Sequence, residues 1–572
     1  MLGSEGIHST LPDDLPLREV LMCLVVIMPK LSKHQLHHQI CAQKRAQDRK
    51  KRVKHQFAKE EYFLSLLRSI CQSELSKDPI ETCFADAGFQ CSENKRSLKE
   101  SISLLVWAIL WSVIVSKPTF EFACLMYQQL CAKFNVRPVS QRTMYRTLAR
   151  STMDKDTTSK VTNRCALAKA MKLLAERVTQ SLRECLPGQQ GVTCQQQSLE
   201  LLQTQVPGLQ DIIAIDGSEI SLPNEQNSDK SKGKTGAAIK LHALVNVLSG
   251  VFYGFNVDNG VSNEREAALE LVKSYDNREK SLILADAGYT SNNFLLTLVK
   301  LGCLFITKGK YNTSPLVTKA WCYETDINDL NASRVLVESK QSIDLGQFCA
   351  NDKMQQEFLE VPLSFIINSQ QFAHSTYSFT FVLNNGLILH KIYQPGNKNN
   401  KENSDDKAHW VSFYTNLPLS IDINAVGALY RLRWQIELQF KALKSFNAVG
   451  QMSHLSNEMC QVFLYASIIV HSLKEYLAHC GYSACNQDKV INASFLAASS
   501  DMAAVLITYL PQIFTRADLV SPNESEVIVD TLTIISRYNR RSNPCKKELQ
   551  QGKSLNAIYK ILAHSLYPTG TS

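Results

Sequence analysis

The stretch YRLRWQIELQFKALK, residues 430–444, sets Tyr430, Arg433, Glu437 and Lys444 at i, i+3, i+7 and i+14. At about 100° per residue these positions share an arc of about 60° on one face of a helix. Leu432, Ile436 and Leu443 take the opposite side with Phe440 at its margin, so the helix is amphipathic with a core-facing stripe. One glutamate flanked by two cations and a phenol suits a carboxylate held beside a metal ion while the cations grip phosphates. A solvated charged face is the plainer reading of the same residues. Trp434 stands just outside that face, where it either enters the core, as expected for a tryptophan, or stacks on a base.

The spacing Y-(2)-R-(3)-E-(6)-K resembles the signature helix of bacterial insertion-sequence transposases of the DDE type, specifically insertion-sequence family 4. The flanking RWQIEL and FKALKS, and the preceding Thr415-Asn416-Leu417, are similar to that family as well. Such an enzyme needs two upstream aspartates. Asp216 in DIIAIDGSEI resembles the family's DG-[ST] motif, and Asp286 in SLILADAGYTS resembles its D-x-G-[YF] motif. The resemblance runs from about Leu209 to Gly450.

The resemblance implies a ribonuclease-H-like fold and metal-dependent cleavage and strand transfer at the ends of the element's own DNA. It further implies cut-and-paste through a hairpin at the transposon end, and a homodimer assembled on paired double-stranded ends. Asp216, Asp286 and Glu437 would be the catalytic residues and the ligands of Mg²⁺, for which Mn²⁺ can substitute. Tyr430, Arg433 and Lys444 would contact transposon-end DNA. His242, in Lys240-Leu241-His242, matches a K-L-H often seen in the family and is expected behind the ligands, not among them. Where the family commonly has an arginine after the fifth strand, this chain reads Thr307-Lys308-Gly309-Lys310, which keeps charge without a bidentate fork. Two rivals are a repurposed copy that binds DNA without cutting it, and another ribonuclease-H-like nuclease such as a junction resolvase.

The chemistry explains the residue types. Two divalent ions about 4 Å apart serve the attacking and leaving oxygens of an in-line displacement, and magnesium prefers a few hard carboxylate ligands. Asp216 and Asp286 each close a short apolar run, so both carboxylates are expected at one edge of a sheet, with Glu437 completing the set from a helix packed across it. Either aspartate alone, with glycine close behind, reads as a turn residue.

The elements that must position these residues follow from periodicity. From Asp211 the pattern is strand, hairpin about Ser249-Gly250, helix, strand, helix, strand. Its near-continuous apolar strands require a sheet covered on both faces. The expected architecture is an α/β ribonuclease-H-like mixed sheet with a β-rich insertion, preceded and followed by mainly helical regions. Residues 1–205 form the helical N-terminal region and 206–310 the first part of the catalytic domain. The insertion is 311–408, the second catalytic part 409–480 and the helical C-terminal region 481–572. Within the first region, helical spacing recurs through Phe57–Ile70, Leu104–Val115, Phe122–Phe134 and Ala166–Leu182. Asn135-Val136-Arg137-Pro138 breaks one helix, and Ser140 can cap a second that exposes Arg142, Tyr145, Arg146 and Arg150. That is helix-turn-helix-like, with Arg142 and Arg146 as DNA contacts; a plain helical hairpin has the same pattern. The basic run KRAQDRKKRVK at 44–54 suits phosphate contact, or a solvated linker.

The chain has 572 residues and a net charge of +9, compatible with a polyanionic partner. Its 17 cysteines include no C-x-x-C pair, which points to reduced thiols and a cytoplasmic setting; the family resemblance implies a bacterial protein, nucleoid-associated when bound to DNA. Zinc around His471, His479, Cys480 and Cys485 lacks the usual tight ligand pairing. SISLLVWAILWSVIVS at 101–116 is too short to span a bilayer and reads as a buried helix stopped by Pro118. VLMCLVVIMP at 20–29 lacks a basic leader, so no membrane partner is expected.

Overall fold

Eleven residues of β-strand carry Asp216, and the sheet around them is built by backbone pairing between segments far apart in the chain. The computed structural model describes residues 73–91, 98–153, 160–185, 194–221, 238–259, 263–310, 314–325, 337–343, 361–368, 377–394, 409–421, 423–446, 456–485, 492–493, 506 and 539–540. All lie in the second of two compact units, Met1–Lys59 and Glu60–Ser572. The runs at 20–29 and 44–54, the periodic stretch Phe57–Ile70 and the polar segment 396–407 lie outside the described residues.

The N-terminal part is helical: α1 (Lys77–Asp86), α2 (Ile102–Ile114), α3 (Phe120–Lys133), α4 (Gln141–Leu148), α5 (Asn163–Cys185) and α6 (Cys194–Gln205). The apolar run at 101–116 is the expected buried helix: Leu105, Val106, Ala108, Ile109 and Val113 of α2 are fully buried. It stops where Ser116 turns to φ 58°, just ahead of Pro118. Asn135 also takes a left-handed φ of 55°, and Ser140 caps α4 by accepting from the Thr143 N–H at 3.2 Å. A short antiparallel hairpin, β1 (Ser151–Met153) with β2 (Lys160–Thr162), follows α4; helical periodicity held no sign of it.

The main sheet comprises β3 (Asp211–Ser221), β4 (Ala238–Asn246), β5 (Phe252–Asn259), β6 (Ser281–Ala285), β7 (Leu304–Lys308), β8 (Leu316–Thr325), β9 (Val337–Ile343), β10 (Val361–Pro362), β11 (Tyr377–Leu383), β12 (Ile388–Gln394) and β13 (His409–Thr415). β3, β4 and β5 form an antiparallel meander, and β6 and β7 add parallel to β3, giving the order β5-β4-β3-β6-β7. Helices α7 (Glu264–Ser274) and α8 (Asn292–Lys300) connect the parallel strands. Ile213, Ile215, Leu244, Ile283 and Phe305 share one buried cluster with Leu271, Val272, Phe294 and Leu298 of these helices. This mixed sheet with helices is compatible with a ribonuclease-H-like transposase fold.

The β-rich segment 311–408 is not set apart from this sheet. β13 pairs antiparallel with β7 on one side and β12 on the other, and β11, β8 and β10 continue outward, with α9 (Leu363–Asn368) after β10. The strand edge of β7 would otherwise stand unpaired, and β13 covers it.

After β13 come α10 (Ile423–Arg431), α11 (Trp434–Phe446) and α12 (Asn457–Cys485). α12 is buried almost all round from Met459 to Tyr476, and α2 and α5 pack along it. Helices α2 and α5 therefore share a core with the helix that follows the sheet. α12 also runs through the expected boundary at 480/481. Beyond it the described residues include only a two-residue pairing, β14 (Asn492–Ala493) with β15 (Asn539–Arg540). Among the described residues no helix is long and apolar enough to cross a membrane.

Candidate active site

Asp216 does not end its strand, as the apolar run suggested, but stands inside β3. The reason is the unequal length of its neighbours: β3 pairs with β6 only as far as Ala214 opposite Leu284, and then continues paired with β4 alone. Asp216 lies two residues past that pair on β3, and Asp286 two residues past it on the β6 side. The parallel register thus carries both aspartates to equivalent positions, two residues beyond the last pair of strands that run about 4.8 Å apart while paired. Each carboxylate is oriented by a local backbone donor. The Gly217 N–H donates to Asp216 Oδ1 at 2.8 Å, and the Gly288 N–H to Asp286 Oδ1 at 2.7 Å, where Asp286 caps the 3₁₀ turn Ala287–Tyr289. Gly217 leaves room for its neighbours, since a Cβ would meet Lys240 Cε at 3.0 Å and His242 Nδ1 at 3.3 Å and press each back by a few tenths of an ångström.

The stretch 430–444 is not one helix. α10 ends at Arg431 and α11 begins at Trp434, with Leu432 and Arg433 in a turn between them. The N–H groups of Arg433, Gln435 and Ile436 bond three residues back, to Tyr430, Leu432 and Arg433, the tighter pattern of a 3₁₀ turn. Leu432, Ile436, Phe440 and Leu443 are all buried, as the apolar stripe predicts. Each contributes about 1.5–3 kcal/mol, more than one distorted turn costs, so packing overrides helix continuity. α11 lies across β3 and against α12. Its buried Gln439 is hydrogen-bonded to His471 of α12.

This packing brings Glu437 to the aspartates, and Arg433 joins them. Arg433 Nη1 donates to Asp216 Oδ2 at 3.1 Å, and Nη2 donates to Glu437 Oε1. Its guanidinium also lies 5.9 Å from the Tyr430 ring centre, while that ring packs on Phe413. Burial pushes the Asp216 carboxyl up to about 6, with Asp286 and Glu437 adding to the rise while Arg433 and the Gly217 N–H oppose it. For Arg433 burial opposes the charge, but Tyr430, Asp216 and Glu437 outweigh it and hold its pKa above the ordinary value. Burial chiefly pushes the Tyr430 phenol up to about 12. Lys444 is half-buried on α11, about 10 Å further along the axis from Glu437. Trp434 is 55% exposed; it is not a core residue, since at about 100° per residue it stands opposite the buried stripe of Leu432, Ile436 and Leu443. As they stand, no three His, Cys, Asp or Glu side chains among the described residues converge closely enough to hold a metal ion.

Behind the aspartates lies a second polar layer. His242 is 1% exposed, with Nε2 3.6 Å from Asp258, and burial lowers its pKa against the pull of Asp258. Lys240 pairs with Glu264 at the start of α7, and Arg265 Nε donates to the Gly288 carbonyl at 2.8 Å. The Tyr289 hydroxyl is buried without a hydrogen-bond partner. Burial, with Asp216, Glu264 and Asp286 adding to it, raises that phenol's pKa. Sequence reasoning singled out Lys240 and His242 by motif but missed Glu264 and Tyr289, whose only signal is proximity in the chain to Asp286 or to the start of α7.

In the helical part, Arg142 and Arg146 are exposed on α4 as predicted, above buried Met144 and Leu148. Tyr145 is engaged: its hydroxyl donates to Glu121 at 3.0 Å. Arg164, at the start of α5, joins Arg142 and Arg146 around one open cleft, a partner that linear spacing did not reveal.

Residues 207–473, a little under half the chain, match the family model described as Transposase DDE domain. The chain is similar to the transposase for insertion sequence element IS1151 of Clostridium perfringens, 27% identical over 278 residues, 45% of this chain and 55% of that one. It is also similar to the transposase for IS231F of Bacillus thuringiensis subsp. israelensis, 25% identical over 256 residues, 41% and 48% of the two chains. The chain thus spans about half the length of the curated relatives it matches. As the motifs implied, these relatives are bacterial insertion-sequence transposases. Assignment to insertion-sequence family 4 continues to rest on the Tyr430, Arg433, Glu437 and Lys444 spacing. A solved piggyBac transposase synaptic complex with hairpin DNA aligns over 84% of this chain and 86% of that one, at 11% identity and a TM-score of 0.41. That likeness is too slight to carry an argument.

Proposed function

We propose that this chain is a DNA transposase that cleaves phosphodiester bonds at the ends of its own insertion sequence and joins the freed end to target DNA. The observation that carries the reading is the parallel register that leaves Asp216 and Asp286 each two residues past the same last pair, Ala214 with Leu284, with Arg433 bound to both Asp216 and Glu437. Asp216, Asp286 and Glu437 are the catalytic residues, on a ribonuclease-H-like sheet. Their hard oxygens suit Mg²⁺, or Mn²⁺ in its place, and a cation already stands between two of them, the Arg433 guanidinium. A divalent ion held there supplies the charge that an in-line displacement needs at the attacking and leaving oxygens.

The chain's own groups do the rest. Arg433 presents a bidentate fork to phosphate oxygens, Lys444 adds a point charge, and Tyr430 supports the guanidinium from one side. Trp434 exposes a ring on which an unpaired base can stack, as hairpin formation at a transposon end would require. Arg142 and Arg146, joined by Arg164, grip the duplex backbone from the helix-turn-helix. The expected assembly is a homodimer on paired double-stranded ends, working by cut-and-paste in the bacterial cytoplasm.

The second reading is a repurposed DNA-binding protein that no longer cuts, and the Arg433 side chain lying between Asp216 and Glu437 is the observation in its favour. A labelled duplex carrying the element's end separates the two. Cutting at the element boundary with Mg²⁺, absent in EDTA, supports the transposase. Tight binding without cutting in any divalent metal supports the binding protein.

A further inference from the structure

Arg433 donates to the same carboxylates that the proposed metal site requires, through Nη1 to Asp216 Oδ2 and Nη2 to Glu437 Oε1. A guanidinium is permanently charged and donates in a fixed planar fork. Lying between those two oxygens, it competes with a divalent cation for the same place. The contact spans 217 residues of sequence, so it is made by the fold and is not an incidental helix-surface pair. Arg433 is 13% exposed, so its charge sits where water screens it little. Its position in the turn between α10 and α11 places it at a helix junction and not within a rigid helical rod. The groups around it are acidic or aromatic: Asp216 and Glu437 within contact, and the Tyr430 ring at 5.9 Å. Without a cation among them, these carboxylates would repel one another.

We propose that Arg433 holds the metal site closed in the DNA-free protein and that a DNA phosphate releases it. A phosphodiester offers the guanidinium an alternative bidentate acceptor. Once Arg433 turns to it, Asp216 Oδ2 and Glu437 Oε1 are free for the divalent ion. One side chain thereby couples two ligands: nucleic acid promotes metal binding, and by linkage metal promotes nucleic-acid binding to the same extent. The protein is disarmed until it is on DNA. This rests on the reading of Asp216 and Glu437 as metal ligands.

The test is Mn²⁺ binding, read from the electron paramagnetic resonance signal of free Mn²⁺, for wild type, Arg433→Ala, Arg433→Lys and Glu437→Gln. Each is titrated alone and with a saturating short duplex, with the duplex's own Mn²⁺ uptake subtracted. Wild type should bind Mn²⁺ about 10-fold more tightly when the duplex is present, a typical coupling. Arg433→Ala should bind it about 10-fold more tightly than wild type without DNA, and gain little from the duplex. Arg433→Lys, which cannot fork, should fall between them. The wild-type comparison needs no variant to fold. Equal Mn²⁺ affinity in wild type with and without duplex, or an Arg433→Ala affinity no better than wild type, overturns the latch. If wild type binds Mn²⁺ but Glu437→Gln binds it equally well, Glu437 is not a ligand and the underlying reading fails instead. No Mn²⁺ bound by any form overturns both.

Discussion

Replacing Asp216 by Asn should make the metal-free protein more stable while abolishing its cutting. The carboxylate is only 20% exposed, and burial, reinforced by Asp286 and Glu437, raises its pKa from an ordinary 3.8 to about 6 in spite of Arg433. The folded chain therefore binds a proton more tightly at this site than the unfolded chain does. Below about pH 4 both states are protonated and the site costs nothing. As pH rises from 4 to 6 the unfolded chain ionises first, and stability is lost. Above about pH 6 the loss is complete. At about 1.4 kcal/mol per pH unit, the wild-type carboxylate costs about 3 kcal/mol at pH 7. Asn keeps the shape and can still accept from Gly217 without the charge. Urea melts of both proteins in EDTA at pH 4 and pH 7 give the answer. The account expects Asp216→Asn to gain up to about 3 kcal/mol at pH 7 and close to nothing at pH 4. Loss of stability at pH 7, or the same difference at both pH values, would refute the electrostatic argument. It would mean that the Arg433 contact outweighs the burial of the charge.

Two further predictions concern the supports of the site. Gly250 has φ 71°, and a Cβ there would lie 2.8 Å from Gln439 Nε2 and 3.1 Å from Glu475 Oε2. Gly250→Ala should cost about 2 kcal/mol or more in a urea melt, since the left-handed backbone alone costs 1–2. By displacing Gln439 on α11 it should also slow cutting; an unchanged melt would contradict that. Arg142→Ala and Arg146→Ala should each weaken duplex binding for all sequences and reduce the log–log salt slope by about 1, measured by fluorescence anisotropy. An unchanged slope would remove α4 from the DNA interface.

What was legible in the sequence was local. The β6 run ending just before Asp286, the Ser249-Gly250 turn, the Ser140 cap and the apolar stripe of Leu432, Ile436 and Leu443 all follow from neighbours in the chain. What depended on distant partners was not. The break at Leu432–Arg433 has no glycine or proline to announce it; it arises as α10 packs on β7 and α11 on β3. Trp434 reads as a core residue from its residue type alone, whereas helical spacing sets it opposite the apolar stripe. The place of Asp216 within β3 depends on β6 being shorter, and the joining of the β-rich segment to the sheet depends on β13 pairing with β7. Arg433 was expected on DNA, and its contact with Asp216 could not be read from spacing within residues 430–444.

The most direct test of the central claim is cutting of an end-labelled duplex bearing the element's terminus by wild type and by Asp216→Asn, Asp286→Asn and Glu437→Gln, in Mg²⁺. If the three carboxylates act as one metal-holding unit, wild type cuts at the element boundary and every variant loses cutting while still binding the duplex. Full cutting by any one of the three variants would contradict the assignment.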